Sequence, residues 1–331
     1  MLKQVNLAPS LYIVIFTLGW SLFGCNNLVN TPSFVSVTTT NDKHVHNKLP
    51  KVVATTTIIC DLVSKITGRT INLNCLIPPN TDPHTYQLSN ADQQAINQAD
   101  LIFYNGYSLE TQIIKAIRTT QNRSPKVAVA KFAVKKPLYF INKGHQSPNP
   151  HVWHNVGYAV RMIAVINSFL GQKFPQNKYI YQKNANTLKS ELFQLDTWIT
   201  NRVKSIPKHK RKLITVHNSM SYYAKKYNFN LSGSLYNSSR ISQPYSNHLQ
   251  TLAKSIIKAK VFTIFPEFTI NTELIIKVAR QAGVKIANKK LYTDALSNPG
   301  SEADTYQKMM TTNTRTIIEA LGGTYLIFTP N

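Results

Sequence analysis

The sequence predicts an α/β protein of two lobes with mostly parallel sheets, joined by one long rigid helix. Three observations support this fold class. From Lys51 onward, short apolar runs alternate with longer mixed segments, which is typical of buried parallel strands alternating with helices. The same alternation begins again after residue 210. Between the two series lies a segment with helical periodicity that contains neither Pro nor Gly.

The first lobe is predicted over residues 51–175. Its strand candidates are short apolar runs bounded by polar residues. They are Val52–Ala54, Leu73–Ile77, Leu101–Tyr104 and Val127–Ala130. Mixed segments between them predict helices at Ile58–Ile66 and Ala91–Ala99. The order of these elements favours a parallel sheet with helical crossovers.

The linking helix is predicted over residues 176–206, between Pro175 and Pro207. Its apolar residues recur at helical spacing. They are Leu188, Leu192, Leu195, Ile199 and Val203. A helix of about 30 residues spans roughly 45 Å, so we expect a stiff connection between the lobes.

The second lobe is predicted over residues 207–331. Its strand candidates repeat the pattern of the first lobe, at Leu213–Val216, Leu231–Leu235, Val261–Phe265 and Val284–Ala287. Its helix candidates are Tyr222–Tyr227, Leu249–Lys260, Thr272–Ala282 and Ala303–Ala320.

The N-terminus predicts export. Residues 1–24 have the basic and apolar regions of a signal peptide, and the apolar stretch is too short to span a membrane. It ends in Leu22-Phe23-Gly24-Cys25, which resembles the bacterial lipobox and implies that Cys25 carries a lipid. An ordinary signal peptide with an incidental cysteine is the alternative. Residues 25–50 predict a flexible tether, in which His44 and His46 are expected to be solvated.

Charge and cysteine content narrow the function classes. The 331 residues include 38 Lys and Arg against 14 Asp and Glu, a net charge of +24. Such a surface attracts anionic partners. No nucleic-acid-binding motif accompanies it, so we expect a scattered basic surface and no specific nucleic acid.

In an oxidising compartment Cys60 and Cys75 could form a disulfide, but the sequence alone does not show that they meet.

Two short motifs echo each other. Asp82-Pro83-His84-Thr85-Tyr86 and Asn149-Pro150-His151-Val152-Trp153 both read Pro-His-x-aromatic. Proline fixes φ, so each turn presents its histidine from a defined backbone position. The first motif follows a predicted strand at its carboxyl end, where open α/β sheets bind ligands.

Further polar residues also follow predicted strands. His217 comes directly after Leu213–Val216, Glu267 lies just past Val261–Phe265, and Asp294 lies in the segment Leu291–Ser297. Any one of these residues alone is more often an ordinary hydrogen-bonded loop residue. As a set at strand ends, His84, His151, His217 and Asp294 predict a metal site, because imidazole is a good ligand for zinc and similar metals.

Segments along most of the chain resemble the metal-binding lipoproteins of bacterial zinc and manganese ABC transporters. The matching segments are 54–59, 77–84, 99–106, 150–153, 293–297 and 303–306. The resemblance implies two α/β lobes joined by a long helix, with the metal in the cleft. It also implies an extracytoplasmic, lipid-anchored protein that hands its metal to a permease and its ATPase. We expect a monomer.

The resemblance assigns roles by position. His84 and His151 match the ligands of the first lobe, and Asp294 matches the carboxylate of the second. His217 stands at the variable position, where zinc-type members tend to have His and many manganese-type members have Glu. The sequence therefore favours zinc, because manganese prefers more oxygen ligands. The His-rich loop of some zinc members is absent, which keeps manganese as the alternative.

The chain departs from the family pattern around His151. Asn149 stands where Asp is usual, and His154-Asn155-Val156 replaces Leu-Asp-Pro. These changes remove carboxylates that would orient His151. Asp82 is retained, and we expect it to orient His84. Glu267 matches a family acid beside the metal and is expected to act as a neighbour or occasional ligand.

Two other function classes remain as alternatives. A secreted zinc hydrolase with Glu267 as base is disfavoured, because the sequence has no His-Glu-x-x-His motif. Four protein ligands also leave no open position for a reacting water, so we predict a binding protein and not an enzyme. An adhesin on the same fold is the second alternative.

Overall fold

The structure is a computed structural model that describes residues 48–142, 145–236 and 246–330. The predicted signal peptide over 1–24, the predicted lipidation site Cys25 and the histidines His44 and His46 of the predicted tether lie outside the described residues. Within the described ranges, no helix combines the length and apolar character needed to cross a membrane.

The first sheet contains four parallel strands. They are β1 (Lys51–Ala54), β2 (Asn72–Cys75), β3 (Leu101–Tyr104) and β4 (Lys126–Ala128), in the order β2-β1-β3-β4. In the register of the sheet, Val52 pairs with both Leu73 and Leu101, so β1 is central. All four predicted strands are confirmed. The fourth ends early because the chain turns into a helix at Val129.

Helices connect these strands. They are α1 (Thr57–Thr67), α2 (Asn90–Gln98), α3 (Thr111–Thr119) and α4 (Val129–Ala133). Thr56 caps α1 by accepting the backbone N–H of Ile59, and Gly68 ends it at a φ of 57° that favours glycine. Ser89 and Asp92 form a capping box on α2, which satisfies backbone donors at both positions.

A disulfide joins Cys60 of α1 to Cys75 of β2, with their Cα atoms 5.8 Å apart. That separation lies in the ordinary range for a disulfide. The sequence left this pairing open, because only the packing of α1 on the sheet brings the two cysteines together. The bond ties the first crossover helix to the strand that precedes His84.

The chain then forms two features that the sequence analysis did not predict. One is an antiparallel hairpin of β5 (Tyr139–Asn142) and β6 (His145–Pro148). The other is the 18-residue helix α5 (Val156–Lys173), capped by the Asn155 side chain on the N–H of Gly157. Its buried residues recur at helical spacing, so periodicity could have found it. They are Val156, Ala159, Met162, Ile163, Ile166 and Leu170.

The long helix α6 (Lys178–Lys204) has 27 residues and is therefore about 40 Å long. It begins and ends two residues inside the predicted range 176–206. One side of it is buried, and this side includes every apolar position that the sequence predicted. The buried residues are Tyr181, Ala185, Leu188, Leu192, Leu195, Ile199 and Val203. The helix packs against α1 and α5.

The second half of the chain repeats the strand order of the first. The strands β7 (Lys212–His217) and β8 (Asn230–Tyr236) are parallel, as are β9 (Thr263–Ile264) and β10 (Lys285–Ile286). A bridge from Thr215 to Phe265 links the two pairs, which gives the order β8-β7-β9-β10. The helices are α7 (Ser221–Lys226), α8 (Ser246–Lys258), α9 (Glu273–Ala282) and α10 (Tyr306–Leu321). The predicted α/β class with parallel sheets and a long helix is confirmed.

One hydrophobic core extends through both halves of the chain. It includes Val52 of β1, Ile163 of α5, Leu195 of α6, Leu213 of β7 and Ile317 of α10. Residues Lys48–Asn331 accordingly form one compact unit. The lobe boundaries near residues 175 and 206 stay a prediction, while the two sheets place their carboxyl-terminal loops around a common site.

Candidate metal centre

His84 lies in the turn between β2 and α2. The Asp82 carboxylate accepts the backbone N–H of His84 at 3.0 Å and the hydroxyl of Thr85 at 3.0 Å. Pro83 between them restricts φ. Asp82 therefore shapes the turn through the backbone of His84. The side chain of His84 is 10% exposed.

His151 follows the hairpin strand β6 and is buried. Asn149 Oδ1 accepts both the backbone N–H of His151, at 3.0 Å, and its ring Nδ1, at 2.7 Å. Asn149 Nδ2 donates to the carbonyl oxygen of Asn218 at 2.8 Å. An amide oxygen thus orients the imidazole.

His217 ends β7 and is held by Glu267, which follows β9. One carboxylate oxygen accepts the backbone N–H of His217 at 2.9 Å, and the other lies 2.5 Å from its Nδ1. The Thr293 hydroxyl also lies 3.0 Å from the second oxygen. Glu267 is fully buried and acts as the neighbour that orients His217.

Asp294 lies in the loop after β10 and is buried. Its Oδ2 lies 3.1 Å from the Thr293 hydroxyl and 3.4 Å from that of Thr269. The Thr293 carbonyl oxygen, just before Asp294, accepts from Trp153 Nε1 at 3.1 Å and from His154 Nε2 at 2.8 Å. The aromatic residues after His151 thus hold the loop that carries Asp294.

The structure brings the four predicted ligands together. His151 Nε2 lies 3.1 Å from His84 Nε2 and 3.2 Å from His217 Nε2. Asp294 Oδ1 lies 3.7, 3.1 and 3.3 Å from the Nε2 atoms of His84, His151 and His217, respectively. One ligand atom from each residue falls within 4.8 Å of all the others. This arrangement can surround a single cation.

The ring protons of two histidines point away from this centre. The Oδ1 of Asn149 and the carboxylate of Glu267 are acceptors only, so the Nδ1 atoms of His151 and His217 hold the protons of those bonds. The Nε2 atoms of both rings are therefore left to hold either a proton or a metal ion. Partners of this kind set the tautomer and basicity of metal-binding imidazoles.

Burial and charge act in opposite directions on the titratable groups. Burial lowers the pKa of His151 well below its usual value, although Asp294 raises it in part. Burial also lowers the pKa of His217, but Asp294 and Glu267 outweigh this and raise it to about 10. Burial raises the pKa of Asp294, and the three histidines hold it well below its usual value. A pairing of His217 with Asp294 therefore dominates the electrostatics of the site.

Sequence reasoning missed a supporting carboxyl group, Glu110. It is buried and accepts the Thr55 hydroxyl at 2.8 Å and the backbone N–H of Asn105 at 2.6 Å. Burial raises the pKa of Glu110, and these hydrogen bonds partly offset the rise. Asn105 Nδ2 in turn donates to the carbonyl oxygen of Pro150 at 3.2 Å. Asn105 directly follows β3. Since His217 was identified as a polar residue that follows a predicted strand, the same criterion could have identified Asn105.

Two parallel sheets whose loops bring three histidines and an aspartate together are typical of a solute-binding protein of the metal type. The family described as ZnuA, zinc-uptake complex component A, periplasmic, matches residues 52–320, and the chain belongs to this family. It is a metal-binding substrate-binding protein of an ABC transporter and not an enzyme. The resemblance predicted from the sequence is confirmed.

Individual relatives differ in the metal that their names give. The chain is 29% identical to the metal ABC transporter lipoprotein SsaB of Streptococcus sanguinis, over 97% of this chain and 99% of the relative. It is 28% identical to the manganese-binding lipoprotein MntA of Bacillus subtilis, over 82% and 89%. Among solved structures, the zinc-binding protein TroA of Treponema pallidum matches with a TM-score of 0.77 and 28% identity, over 82% and 99%. These names do not decide between zinc and manganese.

Proposed function

We propose that the chain captures a divalent metal ion with His84, His151, His217 and Asp294 and delivers it to the permease of an ABC transporter. The observation that carries this proposal is the convergence of three ring nitrogens and one carboxylate oxygen within 4.8 Å of one another. Four ligand atoms at this spacing, three of them on buried residues, would repel unless protons or a cation lie between them. A dedicated ATPase subunit would drive the transport step.

Zinc is the metal that the donor set favours. Zn–N bonds of about 2.05 Å in a tetrahedron place neighbouring ligand atoms about 3.3 Å apart. Five separations among the four ligand atoms lie between 3.1 and 3.7 Å. The second oxygen of Asp294 lies beside two threonine hydroxyls, which favours a single bond from this carboxylate. Manganese is the alternative, and it prefers more oxygen ligands.

The proposed location is outside the cytoplasm, on a lipid anchor at Cys25. Three features support it: the signal-like segment 1–24, relatives named as lipoproteins, and the disulfide between Cys60 and Cys75, since such bonds persist in oxidising compartments. We further propose a monomer with lobes 51–175 and 207–331 on either side of helix 176–206. Release of the chain from membranes by Cys25→Ser would test the anchor.

A competition titration tests the metal and the site together. The chain is stripped of metal, and zinc and manganese are titrated against a chelator of known affinity. We expect zinc to bind more tightly and to raise the melting temperature, because a ligand at 100 times its Kd stabilises the folded state by about 2.7 kcal/mol. Asp294→Ala should abolish that rise.

The control is Asp304→Ala, which alters an acid that is paired with Lys308 and does not belong to the cluster. It should bind zinc like the wild type. Tighter binding of manganese would replace zinc in the proposal. Failure of the wild type to bind either ion, or normal binding by Asp294→Ala, would contradict the proposed site.

A further inference from the structure

His154 is a fully buried imidazole beside the candidate site that is not one of the four ligands. Its Nε2 lies 2.8 Å from the carbonyl oxygen of Thr293, 139 residues away in sequence. A carbonyl oxygen only accepts, so Nε2 is the donor and the ring proton lies there. His154 therefore ties the segment of His151 to the segment of Asp294.

The second ring nitrogen of His154, Nδ1, indicates that this histidine does more than fill space in the core. Its Nδ1 is buried and has no hydrogen-bond partner among the described residues. Burying a polar ring with one atom unsatisfied is unfavourable. The single bond to Thr293 is the feature that distinguishes this histidine from an apolar side chain.

Thr293 is the residue through which this bond reaches the site. Its hydroxyl lies 3.0 Å from Glu267 Oε2 and 3.1 Å from Asp294 Oδ2. Its carbonyl begins the peptide group whose nitrogen belongs to Asp294. Fixing the Thr293 carbonyl therefore restricts the backbone of Asp294. It also restricts the Thr293 hydroxyl, which contacts Glu267, the partner of His217.

We propose that His154 is a positioning residue for metal capture, which holds the Asp294 loop in place before the ion arrives. This inference rests on the proposed function of the four ligands. A loop that is already ordered loses less conformational freedom when the metal binds. Without the His154 bond, Trp153 Nε1 still donates to the Thr293 carbonyl oxygen. Loss of the His154 bond therefore loosens the Asp294 loop without releasing it.

The test compares variants that remove or keep the donor. His154→Leu supplies an apolar side chain, and His154→Met is a flexible apolar second choice if Leu folds poorly. His154→Gln keeps an N–H group at a similar reach. We expect zinc affinity to fall about three- to tenfold in the Leu and Met variants, the size of one lost neutral hydrogen bond, with faster release to a chelator. His154→Gln should stay near the wild type.

Tyr223→Phe is the matched control. It removes a buried hydrogen bond between the Tyr223 hydroxyl and Thr314 that involves none of the ligands. It should lower the melting temperature of the metal-free chain without changing zinc affinity. Unchanged affinity and release in both apolar variants, or an equal loss in His154→Gln, would overturn the positioning role. No zinc binding by the wild type would instead overturn the proposed function.

Discussion

At the scale of single residues, His151 and His217, the two buried histidines of the proposed ligand set, differ in the partner that orients them. His151 is held by the neutral amide of Asn149, and His217 by the carboxylate of Glu267. A carboxylate partner makes an imidazole a stronger ligand than an amide does. His217 is therefore expected to be the more basic of the two imidazole ligands.

Replacing Glu267 by Gln should weaken zinc binding by about ten- to a hundredfold, the usual cost of losing such an orienting partner. The amide keeps the shape of the side chain but removes its charge, and its N–H₂ group can face the His217 ring in place of an oxygen. Competition titration against a chelator measures the loss.

Glu302→Gln is the control for this prediction, because Glu302 pairs with Lys289 on the surface. Zinc affinity should not change in that variant. An affinity of Glu267→Gln equal to the wild type would show that the carboxylate does not act on the metal through His217.

At the scale of elements, α6 is held in the fold by the packing of one apolar face. Leu195 is fully buried in the shared core, whereas Phe193, two residues earlier, is 58% exposed. Residues two apart lie on different sides of a helix. The two positions therefore separate the contribution of packing from that of helix propensity.

Truncating Leu195 to Ala should lower the free energy of unfolding by about 2–5 kcal/mol, because it removes buried methyl groups and leaves a cavity. Phe193→Ala, on the exposed face of the same helix, should change it far less. Denaturant unfolding followed by circular dichroism measures both. Equal losses would mean that the α6 faces are assigned wrongly.

The disulfide is the second element-scale feature that can be tested. Cys60 and Cys75 are 15 residues apart, and closing a loop of that size stabilises a fold by about 3 kcal/mol. We expect the Cys60→Ser/Cys75→Ser variant to melt about 5 °C below the wild type, because the entropy of unfolding grows with the size of the folded unit. A reducing agent should lower the wild type to the same temperature and leave the variant unchanged. A wild type insensitive to reductant would contradict the prediction.

At the scale of the whole molecule, the two parallel sheets and the helices α5 and α6 contribute to one hydrophobic core. Neither half can lose its structure without exposing apolar surface of the other. We therefore expect one cooperative unfolding transition, with equal calorimetric and van't Hoff enthalpies. Scanning calorimetry of the chain from residue 48 onward measures this. Two resolved transitions would show that the lobes unfold separately.

The charge of the whole molecule also depends on the fold. In the part of the chain that the structure describes, five acidic residues are buried. They are Asp82, Asp92, Glu110, Glu267 and Asp294. Because they face capping positions and the candidate site, they do not offset the basic groups at the surface. Among the described residues, the charged groups that face solvent are therefore more predominantly basic than the composition alone indicates.

The sequence by itself determined the features that depend on local patterns. Apolar runs of strand length located the eight strands of the two parallel sheets, and helical spacing located α6 to within two residues at each end. The Pro-His turns and the positions near strand ends gave five candidates, and the family resemblance chose from them the four residues that the structure brings together. These signals are local because strand and helix periods, and the restriction of φ by proline, act over a few residues.

The tertiary structure alone decided which distant groups meet. The hairpin of β5 and β6 has little apolar periodicity from which the sequence could predict it. The disulfide, the carboxylate that orients His217 from 50 residues away and the His154 bond to Thr293 across 139 residues all join segments remote in sequence. Hydrogen bonds and disulfides depend on ångström-scale distances between atoms. Those distances are set by how helices and sheets pack around the core, which no local pattern encodes.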